Sequence, residues 1–437
     1  MTSDSASASA SAPTSASASA FAGTVVIVDG YSNAPALVSA FAERGYRAVH
    51  VLSSAEPHPG MVPPRPEDYA QWFVCPDEAA VDATVSALAA LGPVAVVPGQ
   101  EPGVRLADTL SERLGLATNG TARSAARRDK YEMIETLRAA GIRCAEQFKS
   151  GSARAVGDWA RALGTLPVVV KPLSSASADN VYICRSAEEA EEAARRVLGS
   201  QDVFGGRNTE VLVQSFLEGP EFSVDSVSAE GRHHLADVWE SRRKSIGGGR
   251  QIYDMAVLLD PDADPVPALR AYVRTVLDAL GIRHGASHAE IILTPRGPAL
   301  VEIGARMNGA MIPDFYREVL GTDVARLVAH AYTDPGDFVR RYGDGTYRRL
   351  RAAAVYEVPT ALDGTVRSVD TAVADKIAAL PSVYAVALRS GPGKRIRPTT
   401  DLMSSPLRVL LAGADERALL RDRAVVDELR DLVYEVE

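Results

Sequence analysis

The sequence predicts an α/β protein with several domains, and three observations support this. The chain has 437 residues, more than one ordinary hydrophobic core accommodates, since domains average roughly 150 residues. Up to about residue 120, continuous apolar runs alternate with helical segments, a pattern typical of a doubly wound parallel sheet. Later strands follow one another through turns, which indicates antiparallel α+β units. We therefore expect a parallel-sheet domain first and antiparallel sheets after it.

The N-terminal part is expected to contain a tail and one α/β domain. Residues 1–22 are a Ser/Ala alternation with too few large apolar side chains to offset the entropy of ordering, so we predict a disordered tail. Residues 23–120 then form the parallel-sheet domain. Ligands bind at the carboxyl ends of such strands, where Glu101 lies, although a loop glutamate before a helix is the simpler interpretation. The predicted strands are 24–29, 47–52 and 94–98.

A second unit, residues 121–345, is predicted to begin with a small antiparallel lobe at about 121–217. Its first helix is expected at 122–140, because apolar residues recur there at helical spacing and Gly141 ends the pattern. Residues 346–437 alternate strands with turns and end in a helical segment, so we predict a C-terminal sheet-plus-helix domain. The other elements predicted in the lobe are strands 166–171, 181–184 and 210–217 and a helix at 186–198.

Two strands of the second unit carry acidic residues. Residues 284–295 and 298–309 are extended runs around a Pro-Arg-Gly-Pro turn, so Glu290 and Glu302 are expected to face each other across a hairpin. Carboxylates combined with nucleotide phosphates are the usual ligands of Mg²⁺. Single acidic residues at strand ends are also commonly solvated surface groups. The pair taken alone leaves both interpretations open.

Composition and motifs argue against several classes of protein. The net charge of −9 is unlike that of a nucleic-acid binder, which needs an excess of Lys and Arg. The three cysteines are dispersed and form no Cys-x-x-Cys motif, so neither a disulfide framework nor a zinc cluster is indicated. No G-x-G-x-x-G motif follows the first strand, and no P-loop is complete. Because no secretory signal or membrane-spanning run is present, we expect a cytoplasmic protein.

Taken in order along residues 25–437, these features resemble the ATP-grasp superfamily. Within it, the chain resembles the amino-acid (dipeptide) ligases most, through the run 98–104, the loop 171–176 and the strands that carry His288 and Arg306. The features that carry the wider resemblance are Lys130 on a helix, Lys171 at a strand end, the small-residue loop after it, Glu221 after Gly-Pro, and Glu290 with Glu302 and Arg306.

The resemblance implies an ATP-grasp fold and an ADP-forming carboxylate–amine ligase. Such an enzyme joins two amino acids, or an amino acid and an amine, through an acyl phosphate, in peptide or secondary-metabolite biosynthesis. The implied cofactors are ATP and Mg²⁺ or Mn²⁺. The implied partners are small-molecule amino-acid substrates, and we expect a homodimer without nucleic-acid or membrane partners. Two alternatives stay open, namely an ATP-grasp carboxylase or purine-pathway ligase, and a non-catalytic ATP-binding regulator.

By resemblance, one group of residues binds the phosphates of ATP. Lys130 and Lys171 meet the α and β phosphates, because a triphosphate needs paired cations and lysine offers a compact charge. Ser174, Ser175 and Ser177 cover the β and γ phosphates as a flap. A lysine at the end of a buried strand can also reach solvent along its apolar stem, which is the alternative for both lysines.

A second group, also implied by the resemblance, surrounds the adenosine. Gln214, Phe216 and Leu217 border the adenine in the crease between the lobes. Glu221 accepts both ribose hydroxyls. Apolar residues at alternate strand positions are more often core than cofactor wall, so Glu221 is the firmer assignment.

The third group implied by the resemblance holds the metal and the reacting acyl group. Glu290 and Glu302 are the metal ligands by position. Relatives commonly carry Asn two residues beyond the second Glu, where this chain has Gly304, so Asn308 becomes the nearest further ligand, although turn chemistry explains it too. Arg306 is the expected catalytic side chain, since its guanidinium suits an acyl phosphate or an oxyanion.

Overall fold

The computed structural model describes residues 21–58, 60–173, 180–201, 206–246, 250–400 and 404–437. Residues 1–20, which make up most of the predicted tail, lie outside this part of the chain. The predicted flap residues Ser174, Ser175 and Ser177 lie outside it as well.

The N-terminal domain is built on a four-stranded parallel sheet, as predicted. Strand β1 is almost wholly buried because its run of apolar residues packs on both faces. The strand order β3-β2-β1-β4 brings the carboxyl ends of β1 and β4 together, with the loop carrying Glu101 beside them. The elements are β1 Gly23–Val28, α1 Pro35–Glu43, β2 Tyr46–Leu52, β3 Trp72–Val74, α2 Val81–Ala89, β4 Pro93–Pro98 and α3 Val104–Arg113.

A small lobe follows, and its sheet is antiparallel as expected. The strand order is β5-β8-β6-β7, with helices packed against the sheet through alanine and valine side chains. The elements are α4 Lys130–Ala139, β5 Gln147–Ser150, α5 Ala153–Leu163, β6 Val168–Lys171, β7 Tyr182–Cys184, α6 Ala187–Val197 and β8 Val211–Ser215.

The prediction of a helix over 122–140 is wrong at its N-terminal end. Helix α4 begins at Lys130, after a series of turns. Asp129 has extended backbone angles, and its side chain accepts hydrogen bonds from the backbone N–H groups of Tyr131 and Glu132, so it caps the helix. Because of this cap, Lys130 lies in the first turn of α4, within reach of Glu302.

The rest of the chain is organised around an eight-stranded sheet of order β13-β12-β9-β10-β11-β14-β18-β16. Strands β14, β16 and β18 come from the C-terminal part and extend the central sheet through the pairing of β11 with β14. The first elements are β9 Glu221–Ala229, β10 Arg232–Ile246, β11 Arg250–Leu258, α7 Val266–Leu280, β12 Gly285–Thr294, β13 Gly297–Gly304, α8 Pro313–Leu320, α9 Val324–Thr333 and α10 Pro335–Arg341. The C-terminal elements are β14 Ala352–Val358, β15 Gly364–Val369, α11 Thr371–Ala378, β16 Val383–Leu388, β17 Arg395–Ile396, β18 Leu407–Gly413, α12 Glu416–Leu429 and β19 Tyr434–Val436.

The N-terminal domain is joined to the central unit by a buried ion pair. Arg127 is 0% exposed and donates to Asp108 of α3 at 2.8 Å and to the carbonyl of Leu280 at the end of α7 at 3.0 Å. A buried guanidinium needs such partners, because an unpaired charge in the interior is costly. No helix in the described part of the chain is long and apolar enough to cross a membrane.

Candidate active site

The centre of the candidate site is the β12–β13 hairpin, where Glu290 pairs in register with Glu302 as predicted. Burial and the neighbouring Glu302 raise the pKa of Glu290 to about 7. Burial opposes ionisation of Glu302 too, but Lys130 and Lys171 together outweigh it and lower the pKa of Glu302 from its ordinary value. In the part of the chain that the structure describes, no group of three or more His, Cys, Asp or Glu could hold a metal ion.

Two lysines converge on this hairpin from different elements. Lys130, at the start of α4, places its Nζ 2.7 Å from Oε2 of Glu302. Lys171, the last residue of β6, is 5% exposed. Burial and the neighbouring Lys130 lower the pKa of Lys171 to about 8, while the charges of Glu302 and Glu290 act in the opposite direction. Two cations and two carboxyl groups therefore lie together at a place that is only partly exposed to solvent.

Arg306 lies just beyond β13 and is held by a residue of the N-terminal domain. Its Nε donates to Oε2 of Glu101 at 2.8 Å and its Nη1 donates to the carbonyl of Met307 at 2.9 Å. Glu101 also accepts from Arg128 at 2.6 Å. Burial would raise the pKa of Glu101, but Arg306 and Arg128 outweigh it and lower that pKa to about 2. Glu101 therefore carries a fixed negative charge between two guanidinium groups.

A buried acid–imidazole pair lies beside the hairpin. His288 of β12 pairs with Asp225 of β9, with 2.6 Å between Nδ1 and Oδ1, and its Nε2 lies 4.0 Å from Oε1 of Glu290. Burial opposes protonation of His288, but Asp225 outweighs it and raises the pKa of the ring. Asp237 of β10 lies opposite Asp225, and burial together with Asp225 raises the pKa of Asp237 well above its ordinary range.

Asn308 makes contacts that belong to the turn after β13. Its Oδ1 accepts from the backbone N–H of Ala310 at 2.8 Å, and its Nδ2 lies 3.5 Å from Asp225. Its carbonyl accepts from the side chain of Asn33, which in turn accepts from Gln100. These contacts agree with the turn role that the sequence also allowed, so a metal-binding role for Asn308 stays a prediction.

The residues predicted to surround adenosine lie where the small lobe meets β9. Gln214 is buried in β8 and donates to Gln147 at 3.0 Å, whereas the Phe216 side chain is 38% exposed and Leu217 is half-buried. Glu221 starts β9 and accepts a hydrogen bond from the hydroxyl of Tyr253 at 2.9 Å and another from Arg243. Both carboxylate oxygens of Glu221 are therefore already oriented by donors on β10 and β11.

Comparison with known proteins agrees with this geometry. An ATP-grasp domain model matches residues 164–314. Dapdiamide A synthase of Enterobacter agglomerans is 32% identical over 425 residues, which span 93% of this chain and 95% of that protein. The chain belongs to the ATP-grasp family. Alanine–anticapsin ligase of Bacillus subtilis is 26% identical over 274 residues, which span 58% of this chain and 57% of that ligase.

The fold of this ATP-grasp chain is similar to that of a solved ligase. The crystal structure of L-amino acid ligase from Bacillus licheniformis aligns with a TM-score of 0.70 and 21% identity, covering 95% of this chain and 99% of that one. The predicted mixed α/β ATP-grasp fold and the prediction of an ATP-dependent amino-acid ligase are confirmed.

The structure of this ATP-grasp protein brings most of the predicted site together and adds further residues to it. Glu101 lies in the loop before α3, as the simpler interpretation of the sequence has it, and it also pairs with Arg306. Its position at the end of a parallel strand was the available signal. Asp225 and Tyr253 carried no comparable signal, because each is an ordinary residue within a long strand.

Proposed function

We propose that this ATP-grasp protein is an ADP-forming ligase that activates the carboxylate of one amino acid and joins it to the amine of a second. The observation that carries the proposal is the convergence of Lys130, Lys171, Glu290, Glu302 and Arg306 on one hairpin, although they come from three separate stretches of the chain. Nucleotide binding alone would not need an arginine beyond the two carboxylates.

The two lysines are assigned to the phosphates of ATP. Lys171 is buried and Lys130 is 13% exposed, so both charges act in a medium that strengthens their attraction to a phosphate. Glu221 is assigned to the ribose, since each carboxylate oxygen can accept a further hydrogen bond beside those from Tyr253 and Arg243. We assign Gln214, Phe216 and Leu217 to the adenine border.

The facing carboxylates of Glu290 and Glu302 fit a magnesium ion. Two acidic side chains held opposite each other repel, and a divalent cation relieves this repulsion. Mg²⁺ favours one or two carboxylates combined with phosphate oxygens, and Mn²⁺ accepts the same oxygen ligands. When bound, the ion would neutralise charge on the phosphoryl group that is transferred.

The side chains then have separate tasks in two steps. In the first, a substrate carboxylate oxygen bonds to the γ phosphorus of ATP, and ADP leaves with the electron pair of the broken P–O bond. In the second, an amine nitrogen bonds to the acyl carbon, the C–O bond to phosphate breaks, and the nitrogen loses a proton to the departing phosphate or to solvent. Arg306 stabilises the negative charge on the acyl oxygen, and the lysines hold the nucleotide in position.

The test is to incubate the protein with Mg²⁺, ATP and mixtures of amino acids. We expect ADP, phosphate and a product whose mass is that of two amino acids less one water. Production of AMP, or ATP turnover that does not depend on amino acids, would contradict the proposal. Turnover that depends on bicarbonate would favour the carboxylase alternative, and ATP binding without turnover would favour the regulator. We also propose a homodimer, which light scattering after size-exclusion chromatography would test.

A further inference from the structure

Gly304 is the last residue of β13, and its neighbours leave no room there for a side chain. Its φ lies outside the left-handed region, unlike that of Gly297 at +112°. Backbone conformation therefore does not demand a glycine at position 304. The residue is buried and lies between Glu302 and Arg306, two residues from each.

The space that a side chain at position 304 would need is filled by an ion pair. A Cβ built on Gly304 would lie 2.8 Å from Oε2 of Glu101 and 3.3 Å from both Cζ and Nε of Arg306. Non-bonded carbons and oxygens do not approach to 2.8 Å without strain, since contacts in protein interiors are close to van der Waals distance. Any larger residue at position 304 would have to displace Glu101, Arg306 or both.

Neither member of the pair can move aside at low cost. Both side chains are 14% exposed, and each has a second partner, Arg128 for Glu101 and the carbonyl of Met307 for Arg306. The loop that carries Glu101 is also pinned by two further glycines. A Cβ at Gly99 would lie 2.7 Å from the carbonyl of Asp29, and a Cβ at Gly103 would lie 2.5 Å from the carbonyl of Val28.

We propose that Gly304 is a positioning residue, which leaves its side-chain space to the carboxylate of Glu101 so that the N-terminal domain fixes Arg306 at the reacting centre. The hydrogen bonds that Arg306 makes to described residues use Nε and Nη1. Both N–H groups of Nη2 and the second N–H of Nη1 are then assigned to the acyl oxygen. The chemical consequence rests on the proposed function, whereas the contact between Gly304 and Glu101 does not.

A double-mutant cycle in thermal unfolding tests the contact without any substrate. Gly304→Ala should lower Tm by about 2 °C or more in the wild-type background, because overpacking a tight site is destabilising. In the Glu101→Ala background the same change should leave Tm unaltered or raise it, since Gly→Ala at an unstrained position stabilises. Gly336→Ala is the matched control, because a Cβ there would meet no atom within 4 Å. An equal loss of Tm in both backgrounds would overturn the proposal.

The kinetic arm tests the effect on Arg306. Gly304→Ala should lower kcat for dipeptide formation by about tenfold to a hundredfold, with the KM for ATP within about twofold, since displacement by a fraction of an ångström harms orientation more than binding. In the Glu101→Ala background it should add little further loss. Unchanged kcat, or a KM for ATP that rises in step with the loss, would overturn the proposal. Absence of product with the wild-type enzyme would instead refute the proposed function, and the unfolding cycle would still decide the contact.

Discussion

Replacing Arg306 by Met removes the guanidinium and keeps much of the side chain's length. The structure shows two hydrogen bonds that are lost, of 2.8 Å to Glu101 and 2.9 Å to the carbonyl of Met307. Under the proposed function, the positive charge assigned to the acyl oxygen is lost as well. Removing one preorganised donor to an oxyanion costs about 2.7–4 kcal/mol, or roughly 10²–10³ in kcat. The fold loses less, because Arg128 still pairs with Glu101. We therefore expect kcat to fall by about 10²–10³ and the Kd for ATP to change by less than about threefold.

The assay measures dipeptide by mass spectrometry, ADP release by a coupled reaction, and ATP binding by calorimetry. Arg408→Met is the matched control. Arg408 and Arg389 both pair with Glu357, just as Arg306 and Arg128 both pair with Glu101. The side chain of Arg408 is 17% exposed, and it lies on β18, outside the candidate site. It should alter stability to a similar degree and leave kcat unchanged. A retained kcat in Arg306→Met, or a loss of ATP affinity as large as the loss of rate, would refute the assignment of Arg306.

Three further predictions concern buried ionisable groups. Lys171→Met should raise the KM for ATP by about tenfold or more, because it removes a cation assigned to the phosphates, and it should not destabilise the fold, because that cation is desolvated; unchanged ATP binding would contradict the role of Lys171. Arg127→Met should lower the free energy of unfolding in urea by about 3–5 kcal/mol, since Asp108 stays buried without its cation; a loss below about 1 kcal/mol would contradict this. His50 is 0% exposed, accepts from the N–H of Gly30, and has its pKa lowered by burial to about 4, so its neutral form stabilises the fold at pH 7 and this stability is lost as pH falls below about 6.5. Urea unfolding of His50→Phe should show about 1.6 kcal/mol less loss between pH 6.5 and 5 than wild type, and equal losses would refute this.

The parts of the site that depend on local pattern could be predicted from the sequence. The register of a hairpin follows from its turn, so Glu290 and Glu302 could be placed opposite each other from the two extended runs and the turn between them. Lys171 could be placed at a strand end because a short apolar run stops there. Such features need only the spacing of neighbouring residues.

The parts that depend on distant contacts could not be predicted in the same way. Glu101 and Arg306 are separated by 205 positions, and nothing in the loop around Glu101 identifies its partner. The predicted start of α4 is wrong for a different reason, because helical periodicity extends upstream of Asp129, whereas the capping contacts of Asp129 begin the helix at Lys130. The partner of Glu101 thus depends on a tertiary contact, and the start of α4 depends on a local cap that competes with the apolar periodicity.

The same distant contacts explain why the site needs the N-terminal domain in place. Two contacts besides Glu101 connect that domain to the central unit. One is the buried ion pair between Arg127 and Asp108, and the other is a chain of amide hydrogen bonds from Gln100 through Asn33 to the carbonyl of Asn308. Arg306 contacts the N-terminal domain through its hydrogen bond to Glu101. A small rotation of that domain would move the guanidinium while leaving the lysines and the hairpin carboxylates where they are. Substitutions at the joint should therefore lower the rate of amide formation before they weaken nucleotide binding.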